Sequence, residues 1–161
     1  MIKEILVVCE GNLCRSPMAA AFLTSTHREA RVISAGLNAL VGRPSPEHAR
    51  DVMRERGLPI DEHRAQQITA ELCKQAELIL VMDNVQRREL EQRYPFAKGK
   101  VYRVGEHSQF DVDDPYRQAR TVFEHCAQTI ETGINEWATR LSLMAGRPVI
   151  GSDNSKGQSL P

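Results

Sequence analysis

Ile5 to Val8 is an unbroken apolar run, the pattern of a strand covered on both faces, as in parallel sheets with helices on either side. Ser16 and Pro17 then read as a helix start, serine as the cap and proline in the first turn, with Met18 to Phe22 continuing the helix. Arg31 to Ser34 predicts a second strand closed by Ala35-Gly36. The stretch from Asn38 to Pro46, with two prolines and a glycine, predicts an exposed loop. Pro46 to Arg56 reads as a helix stopped at Gly57, and Thr69 to Ala76 as a short one. Leu78 to Met82 is a second buried-strand run, and Asp83 is placed to cap a charged helix ending near Tyr94-Pro95. Lys100 to Val104 predicts a fourth strand and Gly105 to Pro115 a long polar loop. The clearest helix carries Phe123, Cys126, Ile130, Ile134, Trp137 and Leu141 at steps of three and four residues, a single apolar face.

Strands alternating with helices predict an α/β fold: a four-stranded parallel sheet with helices on both faces. Residues 1–146 are expected to form one domain. Beyond them the periodicity ends, and 147–161 is expected to be a polar, flexible tail. Folds of this class bind ligands beyond the carboxyl ends of their strands, and the loop from Cys9 to Ser16 lies at such an end.

Composition narrows the functional classes. In 161 residues Lys and Arg total 21 and Asp and Glu total 21, so the net charge is zero. That balance argues against broad capture of nucleic acid or an acidic membrane; any anion site must be local. The amino terminus enters a strand directly, without a signal-peptide pattern, and no apolar stretch approaches a membrane span, so a cytoplasmic protein is expected. Four scattered cysteines resemble neither a disulfide framework nor the paired ligands of a zinc site. The acidic run Asp111-Val112-Asp113-Asp114 lacks the glycine and terminal glutamate of a calcium loop, and residue chemistry alone does not choose among its aspartates.

The loop itself offers chemistry. A glycine-containing turn feeding a helix amino terminus aims backbone NH groups at one point and adds the positive end of the helix dipole, which makes an anion cradle. Arg15 adds a planar two-pronged donor suited to two oxygens of a tetrahedral oxyanion. The same field stabilises a thiolate, so Cys9 is expected to be nucleophilic at neutral pH. A nucleophile beneath a bound phosphate invites phosphoryl transfer through a cysteinyl phosphate.

The spacing C-x5-R resembles the signature loop of cysteine-dependent phosphatases, and the fuller string VCEGNLCRSP near the amino terminus resembles the low-molecular-weight protein tyrosine phosphatase family. Asp114-Pro115-Tyr116 and Val81-Met82-Asp83 agree with it, over about Ile2 to Leu143. The resemblance implies that Cys9 attacks phosphorus, that Arg15 and the loop NH groups hold the equatorial oxygens, and that Asp114 protonates the leaving tyrosyl oxygen. Glu10, Gly11, Asn12, Leu13, Cys14 and Ser16 would surround the phosphate, with Asn12, Ser16, Ser34 and His63 keeping the loop in shape. Tyr116 and the Leu37 to Leu40 loop, Leu40 included, would wall a slot for a phenyl ring. Leu13 favours phosphotyrosine, because a family member acting on phosphoarginine has threonine at the matching position. Cys14 would be a redox partner, closing a reversible disulfide with Cys9. Cys73 and Cys126 read as core residues.

No metal or other cofactor is implied, because Arg15 and the loop dipoles supply the positive charge. SAGLNALVGRP, IDEHRAQQIT and DPYRQAR are most similar to the bacterial branch tied to capsule and exopolysaccharide systems. The partner this implies is a phosphotyrosine protein, such as a bacterial tyrosine autokinase, met by a monomer or weak oligomer. One departure stands out: after His63 the family commonly reads x-Ala-Arg-Gln, whereas this chain has Arg64-Ala65-Gln66-Gln67, which removes an arginine from the loop's supports. A thiol-dependent arsenate reductase would need further cysteines after the third strand, where this chain reads LILVMDNVQRREL. A catalytically silent phosphoprotein binder would need neither Cys9 nor Asp114.

Overall fold

In the structure, a computed structural model describing residues 1–146, four parallel strands alternate with helices. The strands are β1 (Glu4–Cys9), β2 (Arg31–Gly36), β3 (Leu78–Val81) and β4 (Val101–Arg103), and the helices are α1 (Arg15–Thr26), α2 (Glu47–Glu55), α3 (Ala70–Gln75), α4 (Asn84–Arg93) and α5 (Arg120–Met144). The tail expected over 147–161 lies outside the described residues.

The sheet order is β2-β1-β3-β4. From β1 the chain crosses first to one side and later to the other, so the loops leaving β1 and β3 diverge and open a crevice at the carboxyl ends of the strands. Period-two alternation divides the buried side chains between two layers. Ile5, Val7 and Cys9 of β1 and Leu78 and Leu80 of β3 join the core built with α1, α2 and α5, where Phe123, Ile130, Ile134, Trp137 and Leu141 are buried. Leu6, Val8, Ile79 and Val81 face the other way, against Cys73 of α3 and Leu90 of α4. A strand covered on both sides needs apolar residues at every position, which accounts for the unbroken runs. Among the described residues, no helix is long and apolar enough to cross a membrane.

The helix ends follow the expected chemistry with one exception. Asp83 caps α4 by accepting from the Gln86 amide at 2.8 Å, and Thr69 caps α3 through the Leu72 amide at 3.1 Å. Ser16, expected as the cap of α1, lies inside the helix; Cys14 occupies the cap position without a side-chain hydrogen bond. The Ser16 hydroxyl is engaged elsewhere, with the sulfur of Cys9.

Candidate active site

At the carboxyl end of β1 the chain turns through Glu10 to Cys14 and enters α1. Asn12 provides the turn: its φ is +57°, a left-handed conformation that asparagine tolerates better than most residues. The curl comes from Asn12, while Gly11 has no positive φ. The Asn12 side chain is fully buried, and both its Nδ2 donors and its Oδ1 acceptor have partners. Its Nδ2 donates to Ser16 Oγ at 2.8 Å and Ser34 Oγ at 3.0 Å, and its Oδ1 accepts from the Gln66 amide at 2.9 Å. Its carbonyl accepts from His63 Nε2 at 2.7 Å, which fixes the proton of that imidazole on Nε2. Burial lowers the pKa of His63 below the ordinary histidine value, keeping the ring in this neutral form at pH 7.

The side chains of Asn12 and Ser16 are fully buried and stand behind the loop as supports. Ser16 Oγ lies 2.9 Å from Cys9 Sγ. Since Ser16 already accepts from Asn12, its own proton is available to a thiolate. Gln66, which replaces the expected arginine, still supports the loop: its main chain holds Asn12 and its Nε2 donates to the Ser34 carbonyl at 2.9 Å.

The pocket above this loop is lined by Cys9, Glu10, Gly11, Leu13, Cys14, Arg15, Asn38, Leu40, Asp114 and Tyr116. Residues more than a hundred positions apart therefore meet in one cleft, and the apolar Leu13, Leu40 and Tyr116 share it with the polar floor. The far wall is tied to the loop by backbone: the amides of Leu37, Asn38 and Leu40 donate to the carbonyls of Cys9, Glu10 and Gly11 at 2.9, 3.0 and 3.1 Å. Gly36 permits this approach, because a Cβ there would lie 2.7 Å from the Glu10 carbonyl oxygen. Asn38, which the sequence did not single out, donates from Nδ2 to Glu10 Oε1 at 2.6 Å. Gln67 brackets the same turn, accepting from the Ala39 amide at 2.9 Å and donating to the Leu37 carbonyl at 2.8 Å.

Arg15 is 5 % exposed and spans the floor. Its Nη1 donates to the Val112 carbonyl at 2.9 Å and lies 3.9 Å from Asp83 Oδ2; its Nη2 lies 3.6 Å from Asp114 Oδ2. A guanidinium this buried keeps nearby carboxylates as its counter-charges until an anion arrives. The three aspartates of the acidic run separate cleanly: Asp114 faces the pocket, Asp111 pairs with Arg103 at 3.0 Å, and Asp113 offers its carbonyl to the Cys126 thiol at 3.8 Å.

The cysteines also differ. Burial raises the Cys14 thiol far above its ordinary value, with the charge of Asp114 adding to the effect, and burial pushes Cys126 up to about 12 and Cys73 up to about 11. These three are protonated thiols at neutral pH. Cys9 alone combines the Ser16 hydroxyl, the orphan amides at the start of α1 and Arg15. The arrangement can hold a tetrahedral dianion over a sulfur nucleophile with a carboxyl group beside it.

The chain is similar to known proteins along nearly all of its described length. Residues 4–145 match the family model described as low molecular weight phosphotyrosine protein phosphatase. The chain is 50% identical over 141 residues, 88% of its length and 97% of the relative's, to the probable low molecular weight protein-tyrosine-phosphatase EpsP of Ralstonia nicotianae. Among solved structures, Vibrio vulnificus Wzb in complex with benzylphosphonate superposes with a TM-score of 0.85 at 38% identity, covering 87% of this chain and 99% of that one. The YwlE arginine phosphatase from Geobacillus stearothermophilus is similar at a TM-score of 0.83 and 32% identity, over 88% and 94% of the two chains. This chain belongs to the low molecular weight phosphotyrosine protein phosphatase family.

Proposed function

We propose that this protein hydrolyses phosphotyrosine in proteins through a cysteinyl phosphate, with Cys9 as nucleophile, Arg15 as clamp and Asp114 as general acid and base. The observation that carries this reading is the convergence of Cys9, Arg15 and Asp114 on one pocket that also has an apolar wall. In the first step the Cys9 thiolate forms a bond to phosphorus as the bond to the tyrosyl oxygen breaks, and Asp114 gives that oxygen its proton. Arg15 and the loop amides hold the equatorial oxygens, where negative charge is concentrated. In the second step water attacks phosphorus and yields a proton to the Asp114 carboxylate. The sulfur leaves as thiolate, steadied by the Ser16 hydroxyl, and inorganic phosphate is released.

Leu13, Leu40 and Tyr116 would hold the phenyl ring. A phosphoserine, shorter by that ring, would leave its phosphorus short of Cys9, and such a misplacement costs about 100-fold or more. Peptides of one sequence bearing phosphotyrosine, phosphoserine or phosphoarginine test the assignment. Phosphotyrosine is expected to exceed phosphoserine in kcat/KM by about two orders of magnitude, and preferential release of phosphate from phosphoarginine would overturn it. The relatives named EpsP and Wzb support a place in exopolysaccharide production, with a cytoplasmic tyrosine autokinase or another protein of that system as partner.

Cys14 would serve as the redox partner of Cys9. Peroxide converts the Cys9 thiolate to a sulfenic acid, and the Cys14 thiol displaces water from it to form the disulfide. The raised pKa of Cys14 makes the second step slow. After peroxide treatment and alkylation, peptide mapping should show Cys9 joined to Cys14, with activity restored by a dithiol. Sulfinic Cys9 with free Cys14 would end this reading.

A further inference from the structure

Arg103 closes β4 and is 6 % exposed, yet its guanidinium is turned to the loop that follows it. Nη1 donates to Asp111 Oδ1 at 3.0 Å, Nη2 to Gln109 Oε1 at 2.9 Å, and Nε to Glu106 Oε2 at 3.4 Å. The Arg103 amide also donates to Glu106 Oε2, at 3.2 Å. All three partners lie in the ten residues before Asp114. The base of the arginine is fixed independently: its carbonyl accepts from Trp137 Nε1 at 2.9 Å, and the next amide, of Val104, donates to Val81 at 2.8 Å. The loop is folded tightly on itself, since a Cβ at Gly105 would lie 2.2 Å from the Phe110 carbonyl oxygen and Gln109 is held at φ +57°. It then reaches Val112, whose amide donates to Met82 at 2.9 Å and whose carbonyl accepts from Arg15.

We propose that Arg103 and Asp111 form a latch that sets the position of Asp114, making them positioning residues for the proton transfer rather than parts of the phosphate site. The inference rests on the role given to Asp114 above. A buried guanidinium is costly to leave unpaired, so the loop is stable only where its three acceptors meet Arg103. Of the two carboxylates Asp111 makes the shorter hydrogen bond to Arg103, 3.0 Å against 3.4 Å for Glu106, and it lies three residues before the carboxyl group that must reach the leaving oxygen. Releasing it frees the loop between Gly105 and Val112 while the Arg15 to Val112 bond still holds the phosphate clamp in place. The proton donor loses its alignment and the nucleophile keeps its own.

The test uses aryl phosphates of increasing leaving-group pKa, because a good leaving group departs without a proton and a poor one does not. Arg103 is too deeply buried to be removed with certainty of folding, so Asp111, with its side chain 47 % exposed, is the position to change. Asp111→Ala is expected to lower kcat/KM about tenfold for a leaving group of high pKa and less than about twofold for one of low pKa. Asp111→Asn, which keeps an oxygen acceptor for Nη1, should recover most of the loss. An equal loss on both kinds of substrate, or no loss on either, overturns the latch. Asp114→Asn measured beside it separates the two claims: a flat response there overturns the role of Asp114 itself, whereas a steep response there with a flat one in Asp111→Ala overturns only the latch.

Discussion

Cys9→Ser is expected to lower kcat/KM for a phosphotyrosine peptide by at least about four orders of magnitude, the scale seen when a nucleophile acting as a unit with its partners is removed. The argument is local. Serine keeps the size of the site, but an alcohol is far less acidic than a thiol, and the stabilisation that Ser16, the first amides of α1 and Arg15 offer an anion does not bridge that gap. The three other cysteines offer no substitute: Cys14, Cys73 and Cys126 are all held as neutral thiols by burial. Phosphate binding should survive, since Arg15 and the loop do not depend on the sulfur. Steady-state hydrolysis, with inorganic phosphate as competitive inhibitor, reads both quantities. A variant retaining more than about 1% of the activity would exclude Cys9 as the nucleophile.

How far this was legible in the sequence depends on whether a residue's role is announced by its neighbours. The unbroken runs at Ile5 to Val8 and Leu78 to Val81 declare strands covered on both sides, and the face of α5 declares itself by its period. The loop from Cys9 to Ser16 is equally plain, because the residues proposed as nucleophile and clamp and the turn between them fit within eight positions. Ser16 misled as a cap because serine at a helix start has two competing uses, and here the sulfur of Cys9 takes the hydroxyl. Gln66 departs from the expected arginine, yet its support for Asn12 comes from the main chain, to which residue identity is almost irrelevant. Arg103 gave no signal at all: a single arginine at the end of a short strand reads as surface, and its burial follows from a loop that returns over it. The roles of Asp111, Asp113 and Asp114 were indistinguishable by composition, and they diverge only because the loop points each one in a different direction.

Asp114→Asn is expected to cost about two orders of magnitude in kcat/KM, about 2.7 kcal/mol, for a tyrosyl leaving group. Asparagine occupies the same volume and can keep the turn in which Asp114 Oδ1 accepts from the Tyr116 amide at 3.1 Å, so the loop should hold its shape. What is lost is the proton. The phenolate of tyrosine is a poor leaving group at neutral pH and needs that proton as the bond to phosphorus breaks, whereas a nitrophenolate does not. The deficit should therefore shrink steeply as the leaving group becomes more acidic. Substitution also removes the carboxylate 3.6 Å from Arg15 Nη2, so the guanidinium no longer exchanges one anion for another when phosphate arrives. Inorganic phosphate should then inhibit the variant at least as well as the wild type. Weaker phosphate inhibition, or a loss independent of leaving group, would place Asp114 in binding and not in proton transfer.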